Sequence, residues 1–421
     1  MLEGKVLDDR FALTRRIGEG TFCSVYLATD QNSLKKVAVK VLKDSTAEHS
    51  FRKELNTLKE LANAPGLAKY YASGSGQPKY IVMELLTTDM LQVFKATGAL
   101  PMAVLLKVAI ETLLALESIH SQGYLHLDIK PDNIAVKRKE RKYKCYLVDL
   151  GMANKYFLSG SHYLYAETGE FHGNPIFASI NTLQGCRPSR RDDLESLLYA
   201  LAFLGTSTLP WMEVHKMSFG MLRGFIADKK QRTSSAVVFR GLPAELGQIL
   251  ELVKTLGFAE KPNYMQYVAL VEAAARRLNL DLESSVEWKR LIHSTVPGEV
   301  SLPKSEVEPA TYLNESMKIE QKAVQESKAS ELSRDFRRTK TKRLTEGLDK
   351  LGFAPRTNTR HFAVPPKESQ DVPSAPVEAV PETEFKGRRE RAKESTLITS
   401  NVVVSDRLRS TIDKLRHENA D

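Results

Sequence analysis

The stretch Tyr124 to Val136, YLHLDIKPDNIAV, sets an aspartate, a lysine and an asparagine (Asp128, Lys130, Asn133) between two strongly apolar patterns. Upstream, LLKVAIETLLALESIH is apolar on most sides of a helical period, which predicts a buried helix. Downstream, IAVKRKERKYKCYLVDLG predicts two short strands joined by a charged turn. A tight polar loop between a buried helix and a hairpin is a demanding arrangement, and it limits what the rest of the chain can be.

Composition leaves room for a large core. A chain of 421 residues, 42% hydrophobic and 27% charged, matches an ordinary soluble globular protein long enough for two or three domains. MLEGKVLDDRFALTRR is polar, so no secretory leader is expected, and Leu2 excludes N-myristoylation. No apolar run approaches the roughly 18 residues of a membrane span. Cys23, Cys145 and Cys186 are too few and too widely spaced for a disulfide framework or a metal cluster, which points to a reducing cytoplasmic or nuclear setting. The net charge of +9 is spread along the chain and fits a basic rim around an anionic ligand or substrate at least as well as a nucleic-acid surface.

Composition shifts near residue 295. STVPGEVSLPKSEVEPA and RTNTRHFAVPPKESQDVPSAPVEAVPETE are rich in Pro, Glu, Ser and Lys, and such segments bury too little apolar surface to offset their ordering entropy. The expected organisation is one folded unit over residues 8–292 and a low-complexity, largely disordered tail over 293–421, with short helices at most. Residues 8–86 are strand-rich, in RFALTRRIGEG, SVYLATD, KVAVKVLK and PKYIVMELL. One helix interrupts them, with Ser45 and Glu48 as a predicted capping box and Pro65-Gly66 as its stop. Residues 87–292 are dominated by helices. The fold class is α+β: a small β-rich lobe and a larger helical lobe, an arrangement that forms a cleft.

Several residues suit such a cleft. In IGEGTFCSVYLA, Gly18 and Gly20 let the backbone turn tightly and approach a bulky anion such as a triphosphate, although Gly-x-Gly also closes ordinary hairpins. Glu54 falls inside the apolar helix stripe Phe51, Leu55, Leu58 and Leu61. A carboxylate on a buried face needs a cation, and Lys40 of VAVK is the one a strand-then-helix reversal brings opposite it. The alternative is a Glu54 frayed to solvent. Asp128 can accept a proton from an attacking hydroxyl, Lys130 can neutralise a transferring phosphoryl group, and Asn133 can offer a carbonyl oxygen to a hard cation. Asp149 of VDLG, sixteen residues beyond Asn133, can supply a carboxylate to the same cation. Mg²⁺ suits so sparse a ligand set because phosphate oxygens and water complete its shell. Helix capping would explain one Asp or Asn, but not Asp-x-Lys-x-x-Asn, a hairpin and then Asp-x-Gly.

GEGTF, VAVK, Glu54, HLDIKPDN and DLG, in this order, resemble the motifs of the eukaryotic protein kinases. Within them the chain resembles the casein kinase I family. FASINTLQGCRPSRRDDLESLLY has Ser179-Ile180-Asn181 in place of the commoner Ala-Pro-Glu, and YIVMELL and LPW fit the same family. The vaccinia-related and tau-tubulin kinases share the segment more loosely. The resemblance spans about residues 9–290 and implies a Ser/Thr protein kinase that uses ATP and Mg²⁺. It implies that Lys40 holds the α- and β-phosphates, braced by Glu54, and that Asp128 is the catalytic aspartate with Lys130 as its phosphate-contacting partner. Asn133 and Asp149 would hold the metal, with Gly18 and Gly20 in the phosphate loop. Ile17 and Val25 would cover the adenine, Met83 would close the back of its pocket, and Glu84 and Leu86 would offer it backbone groups. His126 would support the catalytic loop, and Asp193 would tie the buried helix LESLLYALAFL to that loop through backbone amides.

Departures from the family pattern matter as much. Leu127 replaces the arginine that binds an added phosphate in kinases switched by activation-loop phosphorylation, so the loop is expected to hold its geometry without one. Cys23 replaces the third glycine of the phosphate loop and sets a thiol beside the nucleotide. Asn174 and Ile176 stand where the family has threonine and arginine: Asn174 is expected to reach toward Asp128, whereas Ile176 cannot bind the phosphate of a primed substrate. Lys229 and Lys230 are the remaining candidates for substrate anion contacts. Leu150 replaces Phe in the metal-binding triplet, a change of local packing only.

The expected partners are protein substrates, acidic or pre-phosphorylated, bound by a monomer. The basic runs RDFRRTKTKR and KGRRERAK in the tail suit nuclear import, docking of acidic partners, or plain solvation, and nearby acids argue against a nucleic-acid arm. KESTLITS makes the tail an autophosphorylation candidate, and by resemblance it would restrain activity. Two rival functions remain open: a catalytically weak pseudokinase serving as a nucleotide-binding scaffold, and a tail that binds a partner with the kinase unit as passenger.

Overall fold

The alternating runs at the start of the chain close into one antiparallel sheet. The computed structural model describes residues 2–295 apart from positions 141, 159, 172 and 213–217, and all of these fall in one compact unit. The sheet contains β1 (Val6–Leu7), β2 (Phe11–Glu19), β3 (Cys23–Asp30), β4 (Lys36–Leu42), β5 (Tyr70–Gly74) and β6 (Tyr80–Glu84), in the order β1-β2-β3-β4-β6-β5. Alternation sends Phe11, Leu13, Tyr26, Ala28, Val37, Val39, Tyr80 and Val82 into a core on one face. The curled sheet is the small lobe.

Between β4 and β5 lies α1 (Glu48–Glu60), whose buried positions Phe51, Glu54, Thr57 and Leu58 follow a helical period. Its start corrects the expected capping box. Asp44, not Ser45, is the cap: its side chain accepts from the Thr46 amide at 2.7 Å and opens a 3₁₀ turn over Ser45–Ala47. The helix also ends a turn before Pro65. Gly66 then adopts φ +83°, and a Cβ there would lie 2.4 Å from that of Ala115, so only glycine lets the chain cross the helix that carries Ala115 so closely.

The larger lobe begins with β7 (Thr88–Asp89), α2 (Met90–Thr97) and α3 (Met102–Ser121). It continues through β8 (Tyr124–Leu125), the hairpin β9 (Ile134–Lys139) and β10 (Lys142–Leu147), and the short strands β11 (Asn154–Lys155), β12 (Phe157–Leu158) and β13 (Ser161–His162). Helices follow: α4 (Ile180–Leu183), α5 (Arg190–Thr206), α6 (Phe219–Arg232), α7 (Ser235–Val238), α8 (Ala244–Thr255), α9 (Tyr264–Arg277) and α10 (Ser285–Thr295). The run LESLLYALAFL lies in α5, which is buried from Leu197 to Leu204 and packs on α3 and α8. α10 continues to Thr295, past the expected start of the tail. The tail segments named above, from residue 296 onward, lie outside the described residues. No described helix is long and apolar enough to cross a membrane.

Candidate active site

The loop between β8 and β9 is held from below by one carboxylate. Asp193, near the start of α5 and 2% exposed, accepts the backbone N–H of His126 at 2.7 Å and that of Leu127 at 2.8 Å. His120, at the end of α3, places Nε2 2.9 Å from the same carboxylate, while its Nδ1 meets the Tyr264 hydroxyl at 2.5 Å. Burial alone would raise the Asp193 carboxyl, but the His120 hydrogen bond and the amides outweigh it and hold the group below its usual range. These bonds let Leu127 sit at φ +68°, a left-handed conformation costly for a branched side chain. His126, fully buried, accepts the Asp128 amide at Nδ1 (3.4 Å) and donates from Nε2 to the Val148 carbonyl (3.1 Å). The Val148 amide in turn bonds the Asn133 carbonyl at 3.0 Å, so the ends of the hairpin are locked together.

That frame converges the polar side chains. The Asn133 amide donates through Nδ2 to the Asp128 carbonyl (2.8 Å) and to Asp128 Oδ2 (2.9 Å), leaving the Asn133 amide oxygen to present elsewhere. Lys130 Nζ lies 3.0 Å from the same Oδ2. Asp128 Oδ1 is buried and has no hydrogen-bond partner among the described residues. A buried carboxylate oxygen without a donor is costly, and a site that keeps one is shaped to receive a donor.

Across the cleft, Lys40 on β4 lies 2.6 Å from Glu54 and 3.1 Å from Asp149. Glu54 is 4% exposed, so the solvent-frayed alternative is excluded. Burial would lower the Lys40 ammonium, but Asp149 and Glu54 reverse this and push it above its ordinary value. Lys40 pulls Asp149 down to about 2 against its own burial, so that carboxylate is charged at every working pH. Burial pushes Glu54 upward in spite of Lys40. Asp149, at φ +62° and with its side chain 49% exposed, opens into the cleft.

The small lobe supplies the roof. Gly18 pairs with Val25 across β2 and β3, the Gly20 amide donates to the Cys23 carbonyl at 2.9 Å, and Ile17 is 42% exposed. Lys43, which the sequence did not single out, pins this turn through Glu19 and the Gly20 carbonyl. Burial pushes the Cys23 thiol up to about 11, so it is not an activated nucleophile. Met83 and Glu84 end β6. The Glu84 amide is already donated to the Lys69 carbonyl at 2.8 Å, which leaves its carbonyl as the group it can offer; no described residue hydrogen-bonds the backbone of Leu86.

Two expectations are corrected. Lys230 is 1% exposed, with Nζ donating to the carbonyls of Ala178 (2.5 Å) and Pro175 (3.3 Å); it faces the protein interior and cannot meet a substrate anion. Its neighbour Lys229 is exposed. Asn174 does not bond Asp128: its Oδ1 caps the Ile176 amide at 2.9 Å in a local turn. The contact with the catalytic loop comes instead from Gly173, at φ +99°, where a Cβ would sit 3.2 Å from the Leu127 carbonyl and 3.7 Å from Asp128 Oδ1. An isolated glycine in HGNPIF was the only signal for it.

A groove of about 910 Å³ opens beside Asp128 on the side of residues 153–188, lined among others by Leu127, Lys53, Lys155, Tyr163 and Arg187. It is not the cleft under Gly18 and Gly20.

Residues 11–237 match the family model of the protein kinase domain. This covers more than half of the chain, and the chain belongs to the protein kinase family. Membership implies ATP and a divalent metal, typically Mg²⁺. The donor chemistry fits: one carboxylate, Asp149, and one amide oxygen, Asn133, are hard oxygen ligands of the sparse kind Mg²⁺ accepts when phosphates complete its shell.

Proposed function

We propose that the protein is an active Ser/Thr protein kinase of casein kinase I type, working in the cytoplasm or nucleus. The observation that carries this is the buried Oδ1 of Asp128, without a donor among the described residues, on a residue that lines the groove while Lys130 and Asn133 are fixed on its other oxygen. In this function Asp128 Oδ1 accepts the hydrogen bond of the substrate hydroxyl, aligns its oxygen and takes up its proton as the bond to the γ-phosphorus forms. The bond from that phosphorus to the bridging oxygen breaks, and ADP leaves. Lys130 offsets negative charge building on the transferred group, and Lys40, oriented by Glu54, holds the remaining phosphates. Mg²⁺, held by Asn133 and Asp149, would neutralise the phosphate oxygens. Val25 and Ile17 would cover the adenine, with Met83 behind it and the Glu84 carbonyl and Leu86 backbone beside it.

The casein kinase I assignment rests on the resemblance of residues 177–199, and its Ser179-Ile180-Asn181 has a physical part to play. Ser179 donates to Asp192 at 2.6 Å, Asn181 donates to the same oxygen at 3.2 Å, and the Ile180 amide donates to Glu195 at 2.9 Å. Three adjacent residues thus anchor the segment on α5, which favours a loop that needs no phosphate. Lys53, Lys155 and Arg187, all half-buried, line the groove beside Glu60 and Glu170, and Lys155 is already paired with Glu60 at 2.6 Å, so the basic residues favour acidic acceptors only modestly. Ile176 is 4% exposed and offers nothing to a priming phosphate. Matched acidic peptides with and without a phosphoserine three residues before the target serine are therefore expected to give kcat/KM values within about threefold of each other. A primed preference of about thirtyfold or more would show that another cation, Lys229 foremost, takes the role of the missing arginine.

A further inference from the structure

Lysine is almost never fully buried without a carboxylate partner. Lys230, in the last turn of α6, is 1% exposed and lies in no ion pair among the described residues. Its Nζ instead sits 4.3 Å from the ring centre of Tyr199 and 4.9 Å from that of Trp211. Burial drives its pKa well below the ordinary lysine value, with the nearest opposition from Glu195. A methionine would fill the same volume without that desolvation cost, so the amine must be satisfying something.

What it satisfies is a backbone. Residues 174–179 form neither helix nor sheet up to the cap of α4, so their carbonyls need outside donors. The Asn174 carbonyl accepts the Ala178 amide at 3.0 Å, inside the segment. The next three bonds come from below: Lys230 to Pro175, Trp211 Nε1 to Ile176 at 2.9 Å, and Lys230 again to Ala178. The segment so held begins beside Gly173, which abuts the Leu127 carbonyl and Asp128 Oδ1. Its other end is Ser179, fastened to Asp192.

We propose that Lys230 is a positioning residue for the protein acceptor, fixing residues 174–179 beside Asp128 by donating to the Pro175 and Ala178 carbonyls, with Trp211 as its companion. The proposal rests on the kinase function above. It supplies a mechanical reason why Leu127 can stand in place of a phosphate-binding arginine: the acceptor segment is braced from the interior of the lobe.

Lys230→Met keeps the side-chain volume and removes the donors, and Trp211→Phe keeps a ring and removes only the indole N–H. Both variants of the full chain would be compared with wild type by hydrogen exchange and by peptide kinetics. Exchange of the Ile176, Phe177 and Ala178 amides is expected to be about tenfold faster or more in Lys230→Met, and faster to a lesser degree in Trp211→Phe. The peptide KM should rise about fivefold or more while kcat stays within about threefold and nucleotide affinity is unaltered. Exchange unchanged in both variants, or faster exchange with an unchanged peptide KM, overturns the proposal. Absence of transfer by the wild-type chain would strike the kinase function itself; the exchange measurement needs no turnover and still decides whether Lys230 braces the segment.

Discussion

Asp128→Asn is expected to lower phosphate transfer to a peptide by about 10²–10⁴-fold, the range associated with losing a positioned general base. The substitution is nearly isosteric, so the geometric cost is small. Oδ2 already receives Asn133 at 2.9 Å and Lys130 at 3.0 Å, and an amide oriented to keep those bonds puts its N–H₂ where Oδ1 now stands. The group facing the acceptor hydroxyl then donates instead of accepting. Nucleotide affinity should change little, because Lys40, Glu54 and Asp149 are untouched. Equal losses in kcat and kcat/KM, with an unaltered nucleotide Kd, are the expected kinetic signature. Loss of nucleotide binding in this variant would mean that Asp128 shapes the cleft and does not act on the acceptor.

Lys40→Met has the second large effect, on both binding and stability. Removing the ammonium leaves Glu54, 4% exposed, without the cation 2.6 Å away, and breaking a buried pair costs about 3–5 kcal/mol. Glu54 can escape by protonating. A carboxyl whose folded pKa lies above its unfolded value near 4.3 contributes stability that is fully present below that pH and lost as pH rises through the folded pKa. The deficit against wild type is therefore small near about pH 4 and grows toward neutrality, and Lys40→Met/Glu54→Gln should recover most stability at pH 7 but no nucleotide binding. Denaturant unfolding across pH checks this. A deficit independent of pH would contradict the pairing.

The sequence revealed chemistry better than attachment. Glu54 was legible because a charge inside an apolar stripe must find a partner, and Lys40 is 2.6 Å away. The polar loop 126–133 was legible because a buried helix and a hairpin bracket it. Lys230 was misread for a physical reason: nothing local distinguishes it from exposed Lys229, and its cage of Tyr199 and Trp211 comes from other elements. The same applies to Asn174, whose side chain closes its own turn in preference to crossing to Asp128. Gly173 and Lys43 were missed because close approach between distant segments leaves almost no trace in a single sequence. The expected capping box failed because Asp44 caps a short 3₁₀ turn over Ser45–Ala47, so that α1 itself starts after Ala47 without a side-chain cap.

The measurement that tests the central claim most directly is transfer of labelled γ-phosphate from MgATP to a serine peptide by the full chain, beside Asp149→Asn and a chelator control. Asp149 lies 3.1 Å from Lys40, and in the proposed function its charge would serve both the lysine and the metal. Label should enter the peptide with wild type, depend on Mg²⁺, and fall by about 10²-fold or more in the variant. Nucleotide binding without label in either the peptide or the chain itself would contradict the account and identify the protein as a scaffold on a kinase fold.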